Sequence, residues 1–216
     1  MKSLPATGTG CPTAAAARLE TDSLEGLRVA IQGVGHVGLY LCQMLHEAGA
    51  RLVIADVDNA SIRSVCDSMP AELVSPQDIL FSDVDVLAPC ALGNVLNSET
   101  VPRIKAKIVA GAANNQLATP EDGTRMAELG ILYAPDYVIN AGGVISVAHE
   151  YLGQSSEEQV RAEVCKIPLR LRDIFDEAVA RGLPTNALAD DLARRIVEKA
   201  KKDKEIKEKT AALRIA

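Results

Sequence analysis

The segment RVAIQGVGHVG, residues 28–38, constrains the fold of this chain more than any other. An apolar run leads directly into Gly33, Gly35 and Gly38, and apolar residues at helical spacing follow. The pattern predicts a buried strand, a tight turn and the start of a helix. Three glycines at this spacing can also occur in a turn that binds nothing, so the surrounding sequence is needed to distinguish a ligand-binding loop from an ordinary turn.

An acidic residue at a characteristic distance favours a nucleotide site. Asp56 ends the next apolar run, 21 residues after Gly35. In dinucleotide-binding folds the glycines let the backbone turn and approach a pyrophosphate, and the acid binds the adenosine ribose. Asp58 adds a second negative charge, and no Arg or Lys adjoins it, which favours NAD over NADP. Arg51 and Arg63 are the cations that would weaken that preference.

Five apolar runs predict strands, at residues 28–32, 51–56, 84–89, 107–112 and 131–134. They show little alternation, as expected for strands buried on both faces of a parallel sheet. Helical or loop segments of crossover length separate them. The sequence therefore predicts an α/β fold, a Rossmann-type doubly wound, mainly parallel sheet with flanking helices and a helical C-terminal extension.

The two ends of the chain are predicted to be helical. Residues 9–19 form an Ala-rich candidate for a short lead-in helix, and helical patterns cover 144–152, 156–181 and 185 toward 209. Pro168 is expected to kink or interrupt the middle one. We expect one NAD-binding domain over 1–216, with lead-in helix and linker at 1–23, Rossmann core at 24–145 and C-terminal helices at 146–216.

Composition narrows the function classes. A net charge of -6 with two Phe, four Tyr and no Trp offers neither a basic face nor an aromatic platform for nucleic acid. No apolar run approaches the roughly 18 residues that cross a bilayer, and the N-terminus lacks a signal-peptide core, so we expect a cytoplasmic protein without membrane contact. Five scattered cysteines suit free thiols. Cys42 and His46 lack further ligands nearby, so no metal site is expected.

Three later segments carry small and polar residues at predicted strand ends: APCALGN at 88–94, AGAANNQ at 110–116 and APDYVINAGGV at 134–144. Ligands of open α/β sheets bind beyond the carboxyl ends of the strands, so these segments should converge on the nicotinamide side. Asn114, Asn115 and Asn140 offer neutral donors and acceptors there. Any one of them is more often a turn residue, but three at strand ends favour a functional role.

Together with LEGLRVAIQGVGHVG, these segments resemble the cofactor-binding half of the Glu/Leu/Phe/Val amino-acid dehydrogenase family, most closely its leucine, valine and phenylalanine branch. The likeness extends from ATGTG at residues 6–10 to about Lys201. It implies a domain that uses NAD in the reversible oxidative deamination of a branched-chain or aromatic L-amino acid to a 2-oxo acid and ammonia.

The resemblance also implies roles for individual residues. Ala112 and Asn115 would lie beside the nicotinamide ribose, and Thr7 and Asn140 near the nicotinamide and substrate. His36 stands where many members have Asn, a change we expect to be tolerated. The cofactor-binding residues expected in this chain are Thr7, Gly33, Gly35, His36, Val37, Gly38, Asp56, Val57, Cys90, Ala91, Ala112, Asn115 and Asn140.

The catalytic residues are not identified by the sequence. The family's chemistry relies on an N-terminal substrate domain with two lysines and a catalytic Asp, and we expect this chain to lack it. Hydride transfer also needs a general base. Asp136, His149 and Glu150 are the candidates near predicted strand ends or the following helix, and none has a predictable partner. We therefore expect weak or no activity alone.

Three interpretations follow from that expectation. The chain is a fragment or subunit whose substrate domain is supplied by another chain or was lost by truncation, a non-catalytic NAD-binding sensor or module, or a small dehydrogenase that uses its C-terminal helices as a lid. A neighbouring reading frame that encodes a lysine-bearing domain would favour the first. The sequence leaves homo-oligomerisation open.

Overall fold

A single parallel sheet forms the centre of the structure. The computed structural model describes residues 23–153 and 156–213. Within them, six strands lie in the order β3-β2-β1-β4-β5-β6, all pairs parallel. The strands are β1 (Arg28–Gln32), β2 (Arg51–Ala55), β3 (Ala71–Leu73), β4 (Val86–Pro89), β5 (Ile108–Val109) and β6 (Leu132–Tyr133). Because β1 pairs with both β2 and β4, the strand order reverses there, which creates a switch point.

Helices cover both faces of this sheet. They are α1 (His36–Glu47), α2 (Asn59–Cys66), α3 (Pro120–Glu128), α4 (Asp136–Ile139), α5 (Gly142–Leu152), α6 (Glu157–Val164), α7 (Ile167–Arg181) and α8 (Thr185–Leu213). One apolar cluster joins β1 to α1, α7 and α8, and the other joins the sheet to α3 and two short 3-10 turns. The predicted doubly wound α/β architecture is confirmed.

The central strands pack on both faces because their side chains alternate between the two clusters. Val29 and Ile31 belong to the cluster with α1, and Ala30 belongs to the cluster with α3. All three are fully buried. An apolar run without polar alternation therefore follows from burial on two faces.

Strand β1 has the predicted bounds, the other four predicted strands are shorter than their apolar runs, and β3 was not predicted. Only Ile108–Val109 of the run at 107–112 forms a strand, because the chain then turns closely over β4. A Cβ on Gly111 would lie 2.1 Å from the carbonyl oxygen of Pro89. Strand β3 escapes prediction since it has three residues, two of them exposed, at the edge of the sheet.

The segment at 156–181 is interrupted, as its proline predicted. Helix α6 begins with a capping box between Ser156 and Gln159 and ends before Cys165. Helix α7 then begins with Pro168 in its first turn, where a missing N–H group breaks no helical hydrogen bond. The lead-in helix expected at 9–19 lies outside the described residues, and the division at 23 and 145 stays a prediction.

Candidate dinucleotide site

Gly33 makes the turn that ends β1. Its φ is +91°, a left-handed conformation that favours glycine, and its N–H donates to the carbonyl of Ala55 at 2.8 Å. A Cβ there would lie 2.6 Å from Cβ of Ala91. Both conformation and contact therefore require glycine, and the turn is held between the ends of β2 and β4.

Gly35 and Gly38 have different surroundings. A Cβ on Gly38 would lie 2.1 Å from the carbonyl oxygen of Gly33, so α1 packs directly on the turn. A Cβ on Gly35 would meet nothing within 4 Å. Gly35 is the N-cap of α1, and no side chain in the described part of the chain caps it, which leaves first-turn N–H groups available to a ligand. Such an N-terminus is suited to an anionic group.

Asp56 ties β2 to this loop. Its Oδ2 accepts the backbone N–H of Val34 at 2.7 Å, and its Oδ1 accepts the N–H of Asp58 at 2.9 Å. Each carboxylate oxygen can accept a second hydrogen bond. Asp56 is half-buried, so it can hold the loop and still accept ribose hydroxyls.

Asp58 caps α2. Its carboxylate accepts the Ser61 hydroxyl at 2.8 Å and the N–H groups of Ala60 and Ser61 at 3.1 and 3.0 Å. The hydroxyl bond, then the two backbone bonds, hold the pKa of Asp58 below its usual range. Arg63, on α2, contributes a smaller attraction. Arg51 begins β2 and so lies at the end of the strand away from Asp56.

The remaining residues predicted on this side surround the loop. The N–H of Cys90 donates to the Gln32 carbonyl at 2.7 Å. Burial raises the pKa of the Cys90 thiol to about 11, against a smaller opposite effect of a backbone hydrogen bond from Ala112. His36 stacks edge to face on Tyr40, with ring centroids 5.2 Å apart. Two exposed apolar side chains flank the site: Val37, 44 % exposed, and Val57, 88 % exposed.

The loops after β4 and β5 interlock through two asparagines. Asn94 and Asn115 have φ of 58° and 53°, and the N–H of Asn94 donates to the carbonyl of Asn115 at 2.7 Å. Below them, the buried Gln116 amide donates to the carbonyls of Gly111 and Ala113, both at 2.9 Å. The sequence pointed to the polar residues but not to these bonds.

Asn140 joins the β5 loop to the segment after α4. Its Nδ2 donates to Oδ1 of Asn114 at 2.8 Å and to the carbonyl of Ala112 at 3.3 Å. Asn115 belongs to the same loop. These residues therefore lie together at the carboxyl edge of the sheet, across the switch point from Asp56.

Asp136 has partners that the sequence did not reveal. The side chain is only 7 % exposed. It accepts the N–H of Asn115 at 2.6 Å and the hydroxyl of Tyr133 at 2.9 Å. Burial, followed by the negative charge of Asp136, raises the pKa of Tyr133 above its ordinary value.

The other two candidate bases lie on α5. Glu150 is exposed. The charge of His149 contributes to lowering the pKa of Glu163 on α6, after larger effects from Lys166 and Arg170.

Within residues 23–153 and 156–213, no group of three or more His, Cys, Asp or Glu is placed to hold a metal ion. In that same part of the chain no helix is long and apolar enough to span a bilayer.

Of the predicted cofactor residues, Thr7 lies outside the described part of the chain. The glycine loop and Asp56 follow β1 and β2, and Cys90 and the asparagines follow β4, β5 and α4 across the switch point. Their contacts with a cofactor stay predictions. The fold and the glycine loop together define a Rossmann-type domain.

The comparison with known families is specific. The model of the Glutamate/Leucine/Phenylalanine/Valine dehydrogenase family matches residues 2–62 and 55–204. The chain belongs to this family of NAD(P)-dependent amino-acid dehydrogenases. This confirms the resemblance inferred from the sequence motifs.

Individual relatives and solved structures support the same family. Leucine dehydrogenase of Bacillus subtilis is 43 % identical over 195 residues, which are 90 % of this chain and 53 % of that protein. The crystal structure of L-tryptophan dehydrogenase from Nostoc punctiforme superposes with a TM-score of 0.87 at 40 % identity, covering 94 % of this chain and 63 % of that one. Hetero-hexameric glutamate dehydrogenase from Thermus thermophilus, in a Leu-bound form, gives 0.66 at 25 % identity over 89 % and 52 %. The chain spans about half the length of the curated relatives it matches.

Proposed function

We propose that this chain is the NAD(H)-binding domain of an L-amino-acid dehydrogenase that oxidatively deaminates a branched-chain or aromatic L-amino acid to a 2-oxo acid and ammonia. Membership of the family supports the reaction class. Relatives named leucine, valine and tryptophan dehydrogenases support the substrate class.

One observation carries the proposal. The N-terminus of α1 is uncapped and opens to free space at Gly35, while Asp56 holds the preceding residue of the loop at 2.7 Å. A pyrophosphate fits the first feature because its charge complements the free N–H groups. An adenosine ribose fits the second because the carboxylate oxygens retain acceptor capacity.

The charges favour NAD over NADP. Asp56 and Asp58 both lie where the adenosine ribose would bind, and the α2 N-terminus is already filled by the carboxylate of Asp58. A 2′-phosphate would meet two negative charges there. Arg63 is the nearby cation, and its attraction is one of the smaller effects on Asp58.

The chain's own residues would bind and orient the cofactor. Gly33, Gly35 and Gly38 hold the pyrophosphate, and Ala112 and Asn115 approach the nicotinamide ribose. Asn140 and, from the family resemblance alone, Thr7 would lie near the nicotinamide and substrate. The side chains that would lie around the adenosine and pyrophosphate are His36, Val37, Val57, Cys90 and Ala91. NAD, when bound, supplies the hydride acceptor.

Activity is expected to need more than these residues. Asp136 is buried with both carboxylate oxygens already accepting hydrogen bonds, so it does not suit the role of a base for substrate. A substrate domain, in another part of the protein or on a separate chain, would supply the lysines. Assembly into an oligomer is also proposed, since one structural neighbour is named as a hetero-hexameric enzyme.

The test is the appearance of NADH when the purified chain receives NAD with L-leucine, L-valine, L-phenylalanine or L-glutamate. We expect NADH binding and little or no turnover. The Asp56→Ala variant should lose cofactor binding, while Asp67→Ala, an exposed acid after α2, should keep it.

Turnover that depends on one amino acid would contradict the proposed need for a substrate domain and favour the self-sufficient enzyme. NADH binding without turnover agrees with the proposal, and addition of a lysine-bearing partner chain then separates a split enzyme from a non-catalytic module. A folded chain that does not bind NADH would contradict the proposal itself.

A further inference from the structure

We propose that Asp136 is a positioning residue for the nicotinamide half of the site. Its buried carboxylate fixes the backbone of Asn115, and through Asn115 it fixes the loops that face the nicotinamide ribose. This inference rests on the proposed NAD(H) binding. It assigns Asp136 no proton transfer.

Asn115 needs such support because its backbone is strained. In residues 23–153 and 156–213, Asn94 and Asn115 are the residues other than glycine with a positive φ. Asparagine tolerates the left-handed region better than most residues, but at a cost. A strained residue keeps its conformation only where its surroundings determine it. The bond from the Asn115 N–H to Asp136, at 2.6 Å, is such a determinant.

Asp136 is itself rigidly held. Its other oxygen accepts the hydroxyl of Tyr133 at 2.9 Å, and Tyr133 is a buried residue of β6. The carbonyl of Tyr133 accepts the hydroxyl of Thr185, at the start of α8, at 2.7 Å. The carboxylate is therefore anchored to the sheet and to a long helix before it reaches the loop.

The loop that carries Asn115 is hydrogen-bonded to two neighbouring segments, the β4 loop and the residue after α4. The carbonyl of Asn115 accepts the N–H of Asn94, at the end of the β4 loop. The preceding residue, Asn114, accepts the side-chain amide of Asn140 at 2.8 Å. Loss of the Asp136 bond should therefore disturb the β4 loop and Asn140 together, whereas the glycine loop has its own bonds to Ala55 and Asp56.

The geometry predicts an effect on one half of the dinucleotide. ADP carries the adenosine and the pyrophosphate, and it lacks the second ribose and the nicotinamide. Loss of positioning should weaken the binding of NADH and leave the binding of ADP nearly unchanged. A general loss of stability would weaken both equally.

The experiment measures Kd for NADH and for ADP by calorimetry on the full chain. For Asp136→Ala we expect Kd for NADH to rise about tenfold and Kd for ADP to change less than about twofold, since a hydrogen bond to a buried charge is lost. Asp136→Asn should fall between, because its amide oxygen can still accept the Asn115 N–H.

Asp122→Ala is the matched control. Asp122 is also a buried acid, 2 % exposed, but its bonds go to Thr119 and Arg125 around its own helix, α3. This variant should lose stability and keep the wild-type ratio of the two Kd values.

An unchanged ratio in Asp136→Ala would overturn the positioning role. If that variant does not fold, Asp136→Asn decides the question, since a ratio within error of wild type would contradict the proposal and a rise of about twofold or more would support it. A folded wild-type chain that binds neither ligand overturns the proposed function and this inference together. Wild-type binding with no effect of Asp136 overturns this inference alone.

Discussion

The carboxylate of Asp56 accepts the backbone N–H of Val34 at 2.7 Å, across the gap between the end of β2 and the glycine loop. Its other oxygen accepts the N–H of Asp58, at the start of α2. One side chain thus joins a strand end, a loop and a helix start. These hydrogen bonds order the loop, which lowers the conformational entropy that would be lost when a cofactor binds.

Two glycine variants should separate binding from folding. Gly35→Ala adds a methyl group in open space, at a φ of -64° that alanine adopts readily. We expect its unfolding free energy to fall by no more than about 1 kcal/mol, because alanine is a poorer N-cap than glycine but its methyl group meets no neighbouring atom. Its affinity for NADH should fall at least about tenfold, since the methyl group occupies the place proposed for the pyrophosphate.

Gly38→Ala should lower the stability of the fold more than it lowers the affinity for NADH. Its Cβ would overlap the carbonyl oxygen of Gly33, so the unfolding free energy should fall by about 2 kcal/mol, as for other overpacked sites. Urea unfolding measures the stability and fluorescence titration the binding. A Gly35→Ala chain that binds NADH like the wild type would contradict the proposed pyrophosphate position.

Asp58 should contribute to the rejection of NADP. Asp58→Asn keeps an oxygen that can cap α2, so the helix should retain its stability. It removes a charge near the place proposed for the 2′-phosphate, and we expect the affinity for NADPH to rise about fivefold. NADH affinity should stay nearly constant.

The matched control is Asp67→Asn, which makes the same change at the other end of α2. It should leave the NADPH affinity unaltered. Calorimetric titration of both variants with NADPH and NADH tests this prediction. Equal effects of the two variants would show that only net charge matters and would contradict a local role for Asp58.

Alkaline pH should destabilise the fold through buried thiols. Burial, with a smaller effect of Cys90, raises the pKa of Cys42 from 9.0 to about 12. As the pH rises above 9, the unfolded chain loses the Cys42 proton while the folded chain keeps it, so the unfolding free energy falls. Between pH 8 and 10.5 this group should account for about 2 kcal/mol of that loss.

Cys42→Ala removes this contribution. Chemical unfolding at several pH values should show a shallower decline for the variant than for the wild type, whatever the difference at pH 8. Cys90, Tyr133 and Tyr137 also have a raised pKa and should cause the remaining decline. Parallel curves for the two proteins would show that Cys42 titrates alike in both states.

Much of the fold was predictable because local patterns agree with tertiary structure here. The runs that became β1 and β2 are long, apolar and followed by turn residues, and Pro168 marked the start of α7. The ends of β5 and β6 were not predictable, since pairing stops where the chain crosses β4 at Gly111. Strand β3 has no apolar signal of its own and forms only because the edge of β2 is available.

The candidate site likewise has features that the sequence predicts and features that it does not. The glycine spacing and Asp56 follow a short-range pattern, so the sequence pointed to them directly. The bond between Asp136 and Asn115 joins residues 21 positions apart, and it depends on how two loops meet above the sheet. Asp136 therefore looked like a free candidate base, whereas its carboxylate is buried and already hydrogen-bonded.

A calorimetric titration of the purified chain with NADH, in competition with ADP, tests the proposed site most directly. We predict saturable binding of one NADH per chain, and displacement of NADH by ADP because the two share the glycine loop. Absence of NADH binding by a chain shown to be folded would contradict the central claim that the loop from Gly33 to Gly38 and Asp56 form a dinucleotide site.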